Sequence, residues 1–220
     1  MATLTAEDKK LLSYVDHTLL KVDAIWEQVR ALCDEAVEFG TASVCISPCY
    51  VRKASDYLKG RSKVCTVIGF PSGCHTSASK VFETADAVQN GADEIDMVIN
   101  VGQLKAGNDA LVLDEIRQVR SACLGKILKV IIEACLLTED EKIRMCRLVT
   151  DSGADFIKTS TGFSTGGATF ADVTLLRENV GPGVQVKAAG GISTLDDARK
   201  FIELGATRLG TSRIVRLLKG

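Results

Sequence analysis

The chain has 220 residues, of which 46% are hydrophobic and 25% charged, so it is long enough to bury one sizeable core as a single domain over residues 1–220. Its 27 basic and 28 acidic residues give a formal net charge of −1, which excludes a general electrostatic surface for nucleic acid or anionic membranes. No apolar run approaches the roughly 18–20 residues of a membrane helix. The first dozen residues carry acids and lysines where a signal peptide would be apolar, and we expect a cytoplasmic protein.

Short apolar runs alternate with amphipathic segments along the whole chain, with no long linker between them. A lead helix is predicted near Thr5–Ser13, and eight strands follow it. Several of these runs are continuous and rich in Val and Ile, as is typical of strands covered on both faces in a parallel sheet. The predicted strands are Tyr14–Leu19, Ala42–Ser47, Val64–Phe70, Glu94–Asn100, Ile127–Ala134, Phe156–Ser160, Val184–Ala188 and Arg208–Gly210.

Signals at the ends of the helical segments support this organisation. Thr138 and Thr194 each precede an acidic residue three positions later, which predicts a capping box at a helix start. Eight strand–helix units predict an α/β fold, a single (β/α)8 TIM barrel with a short extra N-terminal helix. An open doubly wound sheet is the alternative, because closure cannot be read from a sequence. Glycines suited to helix C-termini follow four of the helical segments, at Gly40, Gly91, Gly153 and Gly205.

The eight cysteines do not form a disulfide or metal pattern, because no C-x-x-C occurs. We expect free, buried thiols in a reducing compartment. Three cysteines fall in apolar strand-like runs and three in helical patterns, namely Cys45, Cys65 and Cys135, and Cys33, Cys123 and Cys146.

Two lysines at the carboxyl ends of predicted strands are the main candidates for chemistry, because that end of a barrel carries the active site. Lys158 and Lys187 end neighbouring strands, and each is followed by a loop that contains glycine. Either lysine could instead point toward the helices or form a satisfied ion pair. A second cation nearby favours the neutral amine that carbonyl attack requires, so the pair predicts a Schiff-base lysine. The other polar residues at these ends are Asp16, Cys45, Asp96, Glu133 and Ser212.

Asp96 lies inside an apolar strand, where a carboxylate is costly unless it is paired. It could salt-bridge a lysine, relay protons during carbinolamine formation, or do both. Glu133 is predicted to end strand five, in a structural or an orienting role. Lys129 comes early in the same strand, and we expect it near the opposite rim as a structural residue.

Glycine-containing loops after strands six, seven and eight predict a phosphate site, because loops after strands seven and eight form one in many barrels of this kind. Gly190 and Gly191 follow strand seven, Ser212 follows strand eight, and Gly162 follows strand six. Arg213 either meets the phosphate or lies solvated on the last helix.

The sequence gives little support for a metal site or for the catalytic triad of a serine hydrolase. His17 and His75 are the only histidines, whereas a zinc-dependent aldolase needs several, so no metal is expected. No G-x-S-x-G elbow of a serine hydrolase is present.

Six segments in order over essentially the whole chain carry a family resemblance. They are DHTLL at 16–20, SVCISP at 43–48, VIGFP at 67–71, EIDMVIN at 94–100, FIKTSTGF at 156–163 and VKAAGGI at 186–192. These segments resemble those of the 2-deoxyribose-5-phosphate aldolases, which are class I aldolases. The lysine segments are specific, since other Schiff-base barrels surround their lysine differently.

The resemblance implies reversible cleavage of 2-deoxy-D-ribose 5-phosphate to acetaldehyde and D-glyceraldehyde 3-phosphate in deoxyribonucleoside catabolism, without a cofactor. It implies that Lys158 forms the imine, that Lys187 favours its neutral form, and that Asp96 moves protons. The implied phosphate contacts are Gly162, Gly190, Gly191 and Ser212. We add Asp16, Thr18, Cys45 and Arg213 as candidate substrate-binding residues.

One departure from the family concerns the C-terminus. Some relatives end in a flexible tail with a terminal Tyr that assists proton transfer, whereas the last Tyr here is Tyr57. A homodimer is common among relatives and is possible here. The alternatives are another Schiff-base aldolase or transaldolase-like barrel, an isomerase that uses a carboxylate base, and a non-catalytic barrel that binds sugar phosphates.

Overall fold

A computed structural model of the chain describes residues 4–219, so the terminal Gly220 and the first three residues considered above lie outside the described residues. Eight parallel strands close into a barrel in chain order, with β1 paired to both β2 and β8. This confirms the predicted TIM barrel. The strands are β1 Val15–Leu19, β2 Ser43–Ile46, β3 Val64–Ile68, β4 Glu94–Val98, β5 Ile127–Ile131, β6 Phe156–Lys158, β7 Gln185–Ala189 and β8 Ala206–Thr211.

Helices surround the barrel and begin with the predicted lead helix before β1. Two 3-10 helices, Pro48–Tyr50 and Ala134–Leu136, follow β2 and β5. The α-helices are α1 Ala6–Leu12, α2 Trp26–Phe39, α3 Val51–Leu58, α4 Ser77–Gln89, α5 Val101–Lys105, α6 Asp109–Ala122, α7 Glu139–Ser152, α8 Phe170–Asn179, α9 Leu195–Glu203 and α10 Ile214–Lys219.

The predicted helix signals have the expected geometry. Thr138 and Thr194 form capping boxes at the starts of α7 and α9. Gly40 and Gly153 end α2 and α7 in the left-handed conformation, at φ values of 65° and 76°. No helix within residues 4–219 is long and apolar enough to cross a membrane.

The buried apolar side chains form two clusters, one on the outer side of the barrel sheet and one on its inner side. The large cluster packs the outward side chains of the strands, such as Ile46, Ile95 and Ile157, against the helices. The small one, Cys45, Cys65 and Val67, lies on the alternate positions of β2 and β3. Apolar packing therefore stabilises mainly the layer between sheet and helices, and the barrel interior is left for polar groups.

An irregularity between β7 and β8 brings Arg208 into the barrel. Val186 pairs with Ala206, but Lys187 pairs with Arg208, so β8 has one additional residue at this point. Side chains alternate along a strand, and the additional residue shifts Arg208 to the side that faces Lys187. Thr207 is exposed instead and donates a hydrogen bond to Gln185.

All eight cysteines are free, as predicted, but three of them are not buried. The apolar pattern predicts Cys135 in a strand, but it lies in the 3-10 helix after β5, where its side chain is exposed. Cys49 and Cys74 are also exposed. The expectation that the thiols are buried is therefore wrong for these three.

Candidate active site

Lys158 and Lys187 align directly across β6 and β7, which confirms that they lie at the same height on adjacent strands. Both ammonium groups donate to the same carboxylate oxygen, Oδ2 of Asp96, at 2.8 Å and 2.6 Å. Lys129 donates to the other oxygen, Oδ1, at 2.7 Å. Asp96 thus accepts from three lysines at the centre of the barrel, and the predicted ion pair is present.

Lys129 is not near the opposite rim, and that expectation is wrong. It is the middle residue of β5 and aligns with Asp96, so its long side chain reaches the layer that holds the other lysines. Its ammonium also lies 2.7 Å from Glu94 and 3.6 Å from Asp16. Lys129 is therefore part of the polar interior.

The buried charges form a closed ring in which acids and bases alternate. Arg208 joins the two carboxylates farthest from Lys158, with Nη1 2.6 Å from Asp16 and 2.8 Å from Glu94. Lys187 forms an ion pair with Asp16 at 2.5 Å, which closes the ring. We call these six residues the interior ring. In order around it they are Asp96, Lys187, Asp16, Arg208, Glu94 and Lys129.

Charge counting distinguishes Lys158 from the other buried cations. The interior ring has three carboxylates and three cations and is balanced by itself. Lys158 attaches to it through Asp96 as a fourth cation, so a neutral amine there leaves the interior uncharged. Burying unbalanced charge is costly, and Lys158 is therefore the lysine best placed to act as a free amine.

Neighbouring charges fix the ionisation of the ring. Burial alone would raise the pKa of Asp96, but Lys129, Lys158 and Lys187 outweigh it and hold that pKa well below its usual range. Burial likewise opposes the charged form of Lys187, yet Asp16 and Asp96 raise its pKa above the ordinary value. Lys187 therefore stays cationic, as its predicted role requires.

Access separates the lysines further. Lys187 and Lys129 have side chains with 0% exposure, whereas Lys158 keeps 4% of its side chain exposed. Of these three lysines, Lys158 is therefore the one that retains some exposed surface. Asp16 was predicted to bind substrate, but both of its oxygens are occupied by Ser43 and the ring cations, so it holds Lys187 instead.

A cavity of about 720 Å³ opens at the carboxyl ends of β1, β6, β7 and β8, and its lining residues do not include Lys158. Thr18 lines it, and the Thr18 hydroxyl donates to the backbone carbonyl of Asp16. The predicted phosphate residues also line this cavity, and we call them the glycine rim. They are Gly162, Gly190, Gly191 and Ser212, with Arg213 beside them.

Three positions of the glycine rim favour residues without side chains. Gly162, Gly190 and Gly191 have φ values of 82°, 79° and 77°, which non-glycine residues rarely adopt. A Cβ on Gly167, in the loop after β6, would lie 2.5 Å from the carbonyl carbon of Gly190. The loops therefore pack backbone against backbone. Within residues 4–219, no backbone acceptor is paired with the N–H groups of the three rim glycines, which suits an anion.

Arg213 lies at the outer end of this rim, just before α10. Its guanidinium donates to the Ser193 hydroxyl at 3.0 Å, and its backbone N–H donates to Thr211. Both Arg213 and Ser193 line the cavity, so the guanidinium is held beside the place where a phosphate would enter.

Cys45 lies inside the barrel with 1% exposure, next to Cys65. A hydrogen bond with Cys65 lowers the pKa of the Cys45 thiol, and the nearby Lys187 acts in the same direction against the effect of burial. Sulfur and carboxylate atoms of Cys45, Cys65 and Asp96 come within 4.8 Å of one another. Lys129 already donates to Cys65 and Asp96, so this set of atoms is suited to hydrogen bonding and not to a metal ion.

Glu133 lies two residues beyond β5 and does not end the strand as predicted. It is buried and contacts Thr161 in the loop that follows Lys158. The sequence interpretation also missed Glu94 and Arg208. Glu94 had a usable signal, since it stands two positions before Asp96 and must share its face of β4. Arg208 had none, because the bulge in β8 decides its direction.

Comparison with known proteins agrees with this geometry. The family described as DeoC/LacD family aldolase matches residues 10–213. The deoxyribose-phosphate aldolase of Clostridioides difficile is 57% identical over 211 residues, covering 96% of each chain. That of Streptococcus agalactiae is 57% identical over 97% of this chain and 96% of its own. A solved structure described as a tetrameric deoxyribose phosphate aldolase from Aeropyrum pernix is 33% identical with a TM-score of 0.88, covering 96% of this chain and 91% of the other.

Proposed function

Because the chain belongs to the DeoC/LacD family of aldolases, we propose that it cleaves 2-deoxy-D-ribose 5-phosphate reversibly through an imine on Lys158. The observation that carries the proposal is the charge-balanced interior ring, which within residues 4–219 leaves Lys158 as the additional, partly exposed amine of the barrel interior. The names of the 57% identical relatives support the substrate.

The reaction starts at C1 of the open-chain sugar. The neutral Nζ of Lys158 adds to the C1 carbonyl, and the carbinolamine loses its hydroxyl group as water to form a protonated imine. Electrons of the C2–C3 bond move into the imine and form an enamine. The C3 hydroxyl gives up its proton and becomes the carbonyl of D-glyceraldehyde 3-phosphate. Protonation of the enamine at C2 and addition of water release acetaldehyde and restore the amine.

Asp96 is the group we propose for moving protons at the amine. Its Oδ2 lies 2.8 Å from Lys158 Nζ, within reach of each proton that the nitrogen gains or loses. Lys187 on the same oxygen keeps Asp96 ionised and so ready to accept a proton. We propose that Asp96 and water also serve the enamine carbon.

The glycine rim is the proposed phosphate site. Backbone N–H groups and the Ser212 hydroxyl would bind the phosphate oxygens, with Arg213 as an additional cation. Binding energy at the phosphate then holds C1 near Lys158. We also propose a cytoplasmic location, which suits eight free thiols, and a homodimer, which sedimentation of the pure protein would test.

Trapping with borohydride tests the proposed function. Acetaldehyde with borohydride should leave a stable N-ethyl group, and peptide mapping should place it on Lys158. A transaldolase-like enzyme would instead trap longer ketose donors, and an isomerase or a non-catalytic barrel would trap nothing. Absence of any adduct, or an adduct confined to another lysine, would contradict the proposal.

A further inference from the structure

Glu133 is a buried carboxylate that belongs to neither the interior ring nor the glycine rim. It is 4% exposed, and no cation within residues 4–219 forms a salt bridge with it. Its backbone adopts the left-handed conformation, with φ 52° and ψ 62°. A glutamate rarely adopts this conformation, and such positions concentrate at functional sites.

The side chain binds Thr161 at two points. Oε1 accepts a hydrogen bond from the Thr161 N–H at 3.2 Å, and Oε2 accepts one from the Thr161 hydroxyl. The hydroxyl oxygen in turn accepts from the N–H of Phe163 at 3.0 Å. One carboxylate therefore organises both neighbours of Gly162, the first residue of the glycine rim.

The backbone on either side of Glu133 binds the strand end that carries the nucleophile. The N–H of Ile132 donates to the Lys158 carbonyl at 3.0 Å, and the N–H of Ala134 donates to the Thr159 carbonyl at 2.8 Å. The left-handed turn between these two bonds points the Glu133 side chain toward Thr161. Residues 132–134 thus contact both the Lys158 end and the Gly162 end of one short segment.

We propose that Glu133 is a positioning residue that sets the distance between the reacting amine of Lys158 and the phosphate loop at Gly162. The inference rests on the proposed function, in which the same sugar phosphate must reach both points. Fixing the two ends of the substrate relative to each other is worth much in catalysis, and a displacement of about 1 Å can cost about 100-fold.

A carboxylate is the side chain that this site requires. Thr161 offers an N–H and an O–H donor, and each carboxylate oxygen of Glu133 accepts one of them. In a Glu133→Gln variant one oxygen becomes an NH₂ group, which donates to the Thr161 oxygen and leaves the hydroxyl proton without its acceptor. The hydroxyl oxygen of Thr161 would then face a second donor besides the N–H of Phe163. The loop at Gly162 would therefore be held less firmly.

The test compares two substrates in matched variants. For Glu133→Gln and for Thr161→Val, we expect kcat/KM with 2-deoxyribose 5-phosphate to fall by about 10- to 100-fold. With unphosphorylated 2-deoxyribose, which cannot use the glycine rim, the loss should stay within about threefold. Thr161→Ser keeps the hydroxyl and should restore most of the preference for the phosphate. Glu178→Gln, at an exposed site on α8, is the matched control.

The double variant Glu133→Gln/Thr161→Val should be no worse than the poorer single variant, because both changes break one contact. Equal losses on the two substrates, or additive losses in the double variant, would overturn the positioning role. Failure of the proposed function looks different, because the unchanged protein would then form no borohydride adduct with acetaldehyde.

Discussion

The interior ring and the glycine rim hold charge in opposite ways. In the ring, charged side chains neutralise one another in the buried centre of the barrel, with Asp96, Glu94 and Lys129 at 0% exposure. In the rim, uncharged backbone N–H groups of glycines face an open cavity. The ring is complete without a ligand, whereas under the proposed function the phosphate of the substrate would complete the rim. Covalent chemistry and substrate anchoring are thus assigned to parts of the barrel that respond to different perturbations.

The difference suggests why three lysines can coexist inside the barrel. Lys187 is fixed as a cation by two carboxylates and Lys129 by three, and against the effect of burial Asp96, Asp16 and, for Lys129, Glu94 raise their pKa values. The third, Lys158, pairs with the single carboxylate Asp96 and keeps 4% of its side chain exposed. The same carboxylate, Asp96, serves both classes of lysine.

The largest expected effect is the loss of activity on replacing the unbalanced lysine. Lys158→Met should lower turnover by several orders of magnitude and abolish the borohydride adduct, because covalent catalysis is lost. Its unfolding free energy should not fall, since the remaining ring is neutral. Mass spectrometry after trapping and urea unfolding measure the two quantities. Trapping that persists on this variant would refute the assignment.

Replacing a cation of the interior ring should lower the unfolding free energy and leave adduct formation on Lys158 intact. Lys129→Met leaves three carboxylates with two ring cations, and breaking a buried pair in this way costs about 3–5 kcal/mol. The Lys158 adduct should still form where the variant is folded. Urea unfolding of both methionine variants makes the comparison, and equal stability of the two would mean that the ring is not the balanced unit described here.

A charge placed on the rim should affect only the phosphorylated substrate. Ser212→Asp puts a carboxylate beside the phosphate and should lower kcat/KM for deoxyribose 5-phosphate by roughly tenfold or more, from the repulsion of nearby charges. Ser212→Asn has the same shape without the charge and serves as the control. Steady-state kinetics with plain deoxyribose should show the aspartate and asparagine variants to be alike. A loss of equal size on that sugar would make the rim purely structural.

Acid should lower the unfolding free energy through the carboxylates of the interior ring. The pKa values of Asp16 and Asp96 are lowered in the folded protein, so the unfolded chain takes up protons first as the pH falls. The stabilisation is complete above the unfolded pKa and is lost below about pH 4, by up to about 1.4 kcal/mol per pH unit for each group. Urea unfolding between pH 7 and 3 tests this. Asp96→Asn should flatten the slope, and Asp56→Asn on an exposed helix position should not.

The smallest effect concerns the thiol beside the ring. Two acetaldehyde molecules can condense on Lys158 and lose water to give an enal, to which the Cys45 thiolate can add. We expect slow inactivation by concentrated acetaldehyde with a Cys45–Lys158 bridge, and resistance in Cys45→Met at nearly full initial activity. Cys135→Ser, which changes an exposed thiol, should offer no protection. Peptide mapping that finds Cys45 unmodified in dead enzyme would exclude the bridge.

Regular features were accessible from the sequence, and features that depend on a single added residue were not. Alternating apolar runs predicted eight strands, and lysines at two strand ends predicted the pair that the register aligns. The ends of β4 and β5 were predicted too long, because Asn100 caps α5 and Glu133 turns left-handed. The position predicted for Lys129 is wrong because β5 ends at Ile131 and not at Ala134, which makes Lys129 the middle residue of the strand, in register with Asp96.

The interior ring also links the order of folding to the closure of the barrel. Asp16 and Arg208 are 192 positions apart, and they meet only when β8 pairs with β1. A chain with seven strands assembled would bury Asp16 and Glu94 without Arg208, and two carboxylates short of a cation favour hydration over burial. We therefore expect partly assembled barrels to stay open and hydrated at the gap. Contacts of such long sequence separation form slowly, so the last strand would turn a loose intermediate into the native barrel in one cooperative step.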